Sequence, residues 1–269
     1  MDKRFIANYH THTFRCKHAG GVPADYAAVA VANGMEILGI SDHMPYADDR
    51  FGLRMDMAEF DDYLREIQAA RDAFPQLQIY SGLECEYLPQ ELEHLKKLRS
   101  QLDYMILGQH FFQDRQGNLC YTYDLKDTHQ LIGYARSIAQ ALETGLFDCV
   151  AHPDLMGVHD FPTDENYKKA VEIILDAAEA YQIPLEINAN GIRRDPSWHS
   201  SFRDAVHNYP YPDSRFFAMA AQRKNLQFII NADAHSPQEM CQSHIDKAFD
   251  FAQDFRLSLI STLPIKQQK

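Results

Sequence analysis

Cysteine is scarce and unpaired in pattern. The five residues (Cys16, Cys85, Cys120, Cys149, Cys241) are scattered, odd in number and contain no Cys-x-x-Cys. A disulfide framework is excluded as the basis of the fold, and a reducing compartment, the cytoplasm, is expected. Long apolar runs are missing too: nothing approaches the ~18 uninterrupted residues of a membrane span, and the opening residues carry no apolar signal segment. Positive charge is in deficit, with 26 Lys and Arg against 38 Asp and Glu for a net charge of −12. The long-range field therefore has the wrong sign for nucleic acid or an anionic membrane, and neither is expected as a partner. Phosphate chemistry stays open, because bound cations can reverse a field locally. No low-complexity tract, linker or short repeat divides the chain. Its 269 residues, 45% hydrophobic, suit one domain over residues 1–269 with a substantial core.

What is present is a recurring unit: a short apolar run, a polar cluster, then a helical stretch. The runs are Phe5–Ala7, Ile37–Ile40, Ile79–Leu83, Tyr104–Leu107, Cys149–Ala151, Leu185–Ile187 and Phe228–Ile230, each of strand length. Between them, Pro23 opens a helix that closes at Asn33-Gly34. Asp56 begins one that ends by Pro75, Asp127–Thr144 stops at Gly145, and Asn166–Tyr181 stops before Pro184. Asp213 or Ser214 could cap a stretch to Asn225, and Ser236-Pro237 starts a last helix ending near Asp254. Alternation of this kind predicts an α/β fold with a parallel sheet covered on its faces.

Nearly every apolar run is followed at once by histidine or carboxylate: His10-Thr11-His12, Ser41-Asp42-His43, Glu84-Cys85-Glu86, Gln109-His110, His152-Pro153-Asp154 and Asp233-Ala234-His235. Groups at the carboxyl ends of successive strands converge if the strands close into a ring and spread apart in an open sheet. A barrel of seven β/α units is therefore expected, with the site at the carboxyl ends of its strands. His10 and His12 share a face of the first strand and can chelate one ion. So many imidazoles and carboxylates gathered at one rim would cost kcal/mol each without partners, and cations supply them.

These motifs resemble the polymerase-and-histidinol-phosphatase superfamily, and within it the stand-alone histidinol-phosphate phosphatases. The likeness covers nearly the whole chain and rests on His-Thr-His (10–12), His18, Ser-Asp-His (41–43), Gly-Leu-Glu (82–84), Gly-Gln-His-Phe (108–111), Ala-His-Pro-Asp-Leu (151–155) and Asp-Ala-His-Ser-Pro (233–237). The resemblance implies a distorted, TIM-like (β/α)7 barrel holding three divalent ions. One would take His10, His12, Glu84 and Asp233. A second would share Glu84 and add His110 and His152. A third would take His18, His43 and His235. Glu86 points inward like Glu84 by strand alternation, so the choice of Glu84 comes from the motif. Imidazole and carboxylate ligands suit Zn, Fe or Mn. The activity implied is hydrolysis of L-histidinol phosphate to L-histidinol and phosphate, in histidine biosynthesis, by a metal-bridging hydroxide. Two carboxylates against three divalent ions leave a local surplus of about +4, which would attract a small phosphomonoester despite the acidic exterior.

Asp233 or His235 is the expected proton shuttle to the leaving alkoxide. Asp42 is a further candidate, or else an acceptor that orients a histidine. Arg193 is the leading phosphate ligand, followed by Arg15 and Lys17 in the first metal loop and by Arg54 in a Tyr46–Met55 loop that could cover the site. His94, His129, His159, His199, His207 and His244 are expected at the surface, Phe111-Phe112 in core or pocket wall, and Cys16 and Cys85 as small buried packing groups. Competing readings are a phosphodiesterase or nuclease on a small nucleotide, a metal-dependent amidohydrolase, and a scaffold that kept the ligands only structurally. Arg256 stands where related chains often place glycine, and the segment from Asp195 to Pro212 is idiosyncratic.

Overall fold

The computed structural model describes residues 4–159, 161–194, 207, 209–240 and 242–265. Ten strands and eight α-helices alternate along them. They run β1 (Ala7–Asn8), α1 (Pro23–Ala32), β2 (Ile37–Ile40), α2 (Phe60–Ala73), β3 (Gln78–Ser81), β4 (Glu84–Cys85), α3 (Leu92–Arg99), β5 (Ile106–Leu107), β6 (Phe111–Gln113) and β7 (Leu119–Tyr121). There follow α4 (Thr128–Glu143), β8 (Cys149–Val150), α5 (Glu165–Tyr181), β9 (Leu185–Asn188), α6 (Ala189–Arg193), α7 (Ser214–Ala220), β10 (Phe228–Asn231) and α8 (Gln242–Asp254).

The helix ends follow local chemistry. Pro23 stands at the first position of α1, where its missing N–H costs nothing. Asp127 accepts from the Gln130 amide at the start of α4, and Asp164 from the Tyr167 amide at the start of α5. α7 is capped by Asp213, as its sequence suggests, but ends at Ala220 instead of reaching Asn225. Arg256, beyond α8, adopts φ 55°, a left-handed backbone that glycine enters at less cost. The tail Gln267–Lys269, His199 and most of the segment from Asp195 to Pro212 lie outside the described residues.

The strands form a three-stranded parallel sheet, β1-β2-β3, and a five-stranded parallel sheet, β10-β9-β8-β5-β4. A small antiparallel hairpin, β6–β7, stands apart from both. Isolated parallel bridges join the two sheets at each edge, Thr11 to Ala234 on one side and His43 to Glu84 on the other. The first edge is reinforced by two buried asparagines. Asn8 Oδ1 accepts from the Ala232 amide, and Asn231 Oδ1 from the Tyr9 amide, both at 2.8 Å. Side chains from both sheets, among them Ala7, Tyr9, Tyr104, Ile106, Ala151 and Ile229, meet in one buried cluster. Tyr104 reaches across to donate to the Tyr9 carbonyl at 2.6 Å. Its ring fills the space left by Gly39 and Gly82, where a Cβ would overlap it. The larger apolar core lies under the helices, with α4 packed along α5. No described helix is long and apolar enough to cross a membrane.

Candidate metal centre

Strand ends deliver the site. His10 and His12 follow β1, His43 follows β2, Glu84 begins β4, His110 follows β5, His152 follows β8, and Asp233 and His235 follow β10. Glu84, essentially buried, is the hub: its carboxylate oxygens lie 2.9 Å from His43 Nδ1 and His152 Nε2, 3.4 Å from His10 Nε2 and His12 Nε2, and 3.8 Å from His110 Nε2. Asp233 Oδ1 completes the other side, 3.3 Å from His12 Nε2, 3.4 Å from His235 Nδ1 and 3.6 Å from His10 Nε2. His18 Nε2 sits 3.1 Å from His235 Nε2 at the outer rim. All nine residues named as metal ligands from sequence thus surround one point.

Their polar atoms are short of partners. His10 Nε2, His12 Nε2, His43 Nδ1 and Asp233 Oδ1 are buried without a hydrogen bond; His43 Nδ1 is close to Glu84 but not aligned with it. Such orphans cost about 1–3 kcal/mol each unless something binds them. Three-residue groups able to hold an ion include His10–His12–Glu84, His12–Asp233–His235 and His18–His43–His235. A donor set of imidazoles and carboxylates fits divalent transition metals.

The field at the centre is divided. Burial resists charge on His10, but Asp233, Glu186 and Glu84 outweigh it and push its pKa well above the ordinary value. Burial, with His235 and His10 nearby, holds His12 down to about 3. Burial would raise Glu84 and Asp233, yet the surrounding imidazoles hold both well below the usual carboxylate range. Two carboxylates therefore stay anionic beside His12, whose imidazole stays neutral with a lone pair to offer. Gly108 makes room for this: a Cβ there would strike the Glu84 carboxylate. His152 and Asp233 adopt φ of 28° and 46°, left-handed conformations that cost on the order of 1–3 kcal/mol and are held in place by the surrounding structure.

A supporting layer fixes the rings. Glu186, fully buried on β9, accepts from His10 Nδ1 at 2.8 Å, the His152 amide at 2.8 Å and Asn231 at 3.0 Å. Asp42 accepts from the Thr13 amide and hydroxyl at 2.5 Å each and from the Cys16 thiol at 2.9 Å. The Cys16 sulfur is also 3.3 Å from His12 Nδ1 and accepts from the His43 amide at 3.3 Å. With its proton on Asp42, that sulfur is left to accept from His12 Nδ1–H, which turns the Nε2 lone pair toward Glu84 and Asp233. Asp42 is buried away from the cavity, so it positions ligands and does not face substrate. Glu86 plays a similar part for His110, with Nδ1 at 3.2 Å, while pairing with Arg54 at 2.5 Å. Glu186, Cys16 in this role, and Glu86 as a positioning group are not distinguishable from packing residues in the sequence.

A cavity of about 750 Å³ opens over the centre, lined on its cationic side by Arg54, Arg193 and Arg194. Arg193 donates to the carbonyls of Ala232 (2.8 Å) and Asp233 (3.1 Å) and pairs with Glu239 at 3.2 Å, so it braces the Asp233 turn as well as facing the cavity. Arg194, its neighbour, also lines the cavity and was not singled out by the motifs. Arg15 and Lys17 are turned away. Arg15 is buried and pairs with Glu66 at 2.6 Å, and Lys17, in a left-handed turn, pairs with Asp56 at 2.8 Å. Neither lines the cavity, because the short 3-10 turn over residues 14–16 points them outward; the phosphate role expected of them falls away. Phe111 lines the cavity and Phe112 is core. His94, His159 and His207 bond to Pro45 O, Thr122 O and Asp254 outside the centre.

Fold and site together describe an α/β protein whose strand ends gather groups of histidines and carboxylates that could hold metal ions. The PHP domain matches residues 8–190, and the chain belongs to that family. It is 28% identical over 245 residues to a probable histidinol-phosphatase of Deinococcus radiodurans, covering 87% of this chain and 88% of the relative. It is 24% identical over 234 residues to a probable phosphatase of Shewanella amazonensis, covering 86% and 77%. Among solved structures it is similar to the histidinol phosphate phosphatase of Lactococcus lactis, determined with Zn, L-histidinol and phosphate. That match has a TM-score of 0.68 and 16% identity over 96% of this chain and 98% of the other.

Proposed function

We propose that the chain is a divalent-metal-dependent phosphomonoesterase that hydrolyses L-histidinol phosphate to L-histidinol and phosphate. In this reading the two bridged sheets are one distorted ring in which β3 and β4, two residues apart, count as a single strand, giving seven, and the ring closure gathers the ligands. The observation that carries it is Glu84, an anionic, buried carboxylate within reach of five imidazoles, three of which (His10, His12 and His43) turn a buried nitrogen without a hydrogen bond toward it. The relatives named as phosphatases support the reaction, and the Deinococcus relative supports the substrate.

His10, His12, Glu84 and Asp233 would hold one ion, Glu84, His110 and His152 a second, and His18, His43 and His235 a third; Zn, Fe and Mn all suit these donors. Divalent ions there would acidify water near neutral pH and offset the charge of the phosphate. The chain supplies the rest. Glu186, Glu86 and the Asp42–Cys16 pair keep imidazoles turned inward, so no reorganisation is needed as charge develops. Arg54, Arg193 and Arg194 face the phosphate from the cavity wall. The leaving alkoxide needs a proton; of the two expected donors His235 is the better placed, and giving the proton would take the place of its part in holding the third ion. Asp233 is held ionised and accepts from Asn188 (3.1 Å) and Asn190 (3.0 Å), whereas His235 is part-exposed at the cavity.

Phosphate release from the metal-loaded protein tests the reading, using L-histidinol phosphate, other phosphomonoesters and dinucleotides. Preference for L-histidinol phosphate, lost on chelation, is expected. Release of nucleotide from diesters with none of phosphate from monoesters would overturn it.

A further inference from the structure

Four carboxylates line the cavity, and three are engaged. Glu84 and Asp233 lie among the imidazoles, and Glu239 pairs with Arg193 while accepting from the His235 amide at 2.6 Å. The fourth, Asp124, is exposed to the cavity with no ion pair or side-chain hydrogen bond among the described residues.

Asp124 is not on a loose loop. It ends the 3-10 turn Thr122–Asp124, which is tied to the strand end that carries His110. Thr122 donates from its amide to His110 O and from its hydroxyl to Gln109 O, each at 2.8 Å. The turn also presents a run of aromatic rings. Tyr123 lies 6.5 Å from His110 and nearly parallel to it, Tyr121 is 5.2 Å from Tyr123, and Phe111 is 4.7 Å from Tyr121. The wall thus leads from a metal-centre imidazole outward and carries an unengaged carboxylate beside it. Aromatic faces and a carboxylate together attract a cation, and more so where water is partly excluded. The positive charge of Arg54 is matched by Glu86 and that of Arg193 by Glu239. Asp124 pairs with neither of these arginines, which leaves its carboxylate open to a cation in the cavity.

We propose that Asp124, with Tyr121 and Tyr123, forms a subsite for a cationic group on the leaving alcohol, an alkylammonium or a protonated imidazole. The inference rests on the phosphatase reading and names the residues that would make it prefer phosphate esters of cationic amino alcohols. It makes Asp124 a determinant of specificity and gives it no part in the bond-breaking step.

Steady-state kinetics of the metal-loaded enzyme test it, with L-histidinol phosphate set against glycerol 3-phosphate, whose alcohol is neutral. In Asp124→Asn the kcat/KM preference for L-histidinol phosphate should fall about tenfold, chiefly through KM, and Asp124→Glu should recover part of it. An unchanged preference overturns the subsite. If the wild-type enzyme releases phosphate from neither ester, the phosphatase reading fails. The subsite is then judged by calorimetric binding of L-histidinol alone: weaker binding to Asp124→Asn retains it, and equal binding rejects it.

Discussion

At the scale of single residues, the site is defined by what each polar atom lacks. A histidine with one nitrogen anchored and the other buried and unbonded is prepared for a cation, and His10 shows this in full: Glu186 holds Nδ1 while Nε2 has no partner. A different buried carboxyl, Asp154, shows the cost of burial without such compensation. Desolvation raises it to about 7, only partly relieved by the Asp213 amide, and its Oδ1 is unbonded. A carboxyl raised in this way holds its proton in the folded state while the unfolded chain has already released it. The folded state then binds more protons between pH ~4 and 7, so stability falls as pH rises across that window. Asp154→Asn, which keeps an oxygen for the Asp213 amide, should flatten this slope. Denaturant melts at pH 5 and pH 7.5 check it: the difference between the two should shrink in the variant, and an identical difference would show that Asp154 ionises freely.

The ligand residues were legible because strand alternation and motif spacing make their convergence a property of sequence. Their supporters were not. Glu186 sits between Leu185 and Ile187 and meets His10 across 176 residues, a pairing visible only once β9 and β1 are placed. Cys16 reads as a small apolar residue until Asp42 and His12 are found on either side of it. Arg15 and Lys17 failed for a related reason: nearness to ligands along the chain says nothing about direction when a 3-10 turn rotates side chains by a third of a circle per residue.

At the scale of elements, α1, α4 and α5 were read closely, because Pro23 and Asp127 mark starts chemically and Pro184 follows the last turn, whereas the stretches read from Asp56 and Ser236-Pro237 open as 3-10 turns and become α-helical only at Phe60 and Gln242. The short α3 and α6 and the β6–β7 hairpin carry too few residues to impose a period and were not anticipated. That hairpin nevertheless supplies Phe111 and Tyr121 to the cavity wall. The meeting of β1 and β10 rests on the reciprocal Asn8 and Asn231 bonds more than on a strand ladder, since only Thr11 and Ala234 bridge there. Asn231→Ala would leave the Tyr9 amide unbonded in a buried position and free Glu186 of a donor. A loss of about 1–3 kcal/mol in unfolding free energy is expected from a buried unsatisfied donor. Urea titration of the metal-free protein reads it, and a loss under 0.5 kcal/mol (roughly the scatter of surface substitutions) would mean the edge is held by other contacts.

At the scale of the whole molecule, an acidic protein of net charge −12 concentrates imidazole and guanidinium around one cavity. The exterior discourages polyanions, while the centre, once loaded with cations, attracts a small one; the two scales of electrostatics act on different partners. Cations would also hold together strand ends drawn from both sheets, so metal binding and folding should be coupled, with the melting temperature rising as metal is added.

The most direct measurement is metal content by mass spectrometry, alongside phosphate release from L-histidinol phosphate, for the wild-type protein and Glu84→Ala. Several divalent ions per chain are predicted in the wild type, with loss of at least one ion and of nearly all activity in the variant. Wild-type protein free of bound metal but fully active, or a variant with unchanged metal content and turnover, would contradict the account.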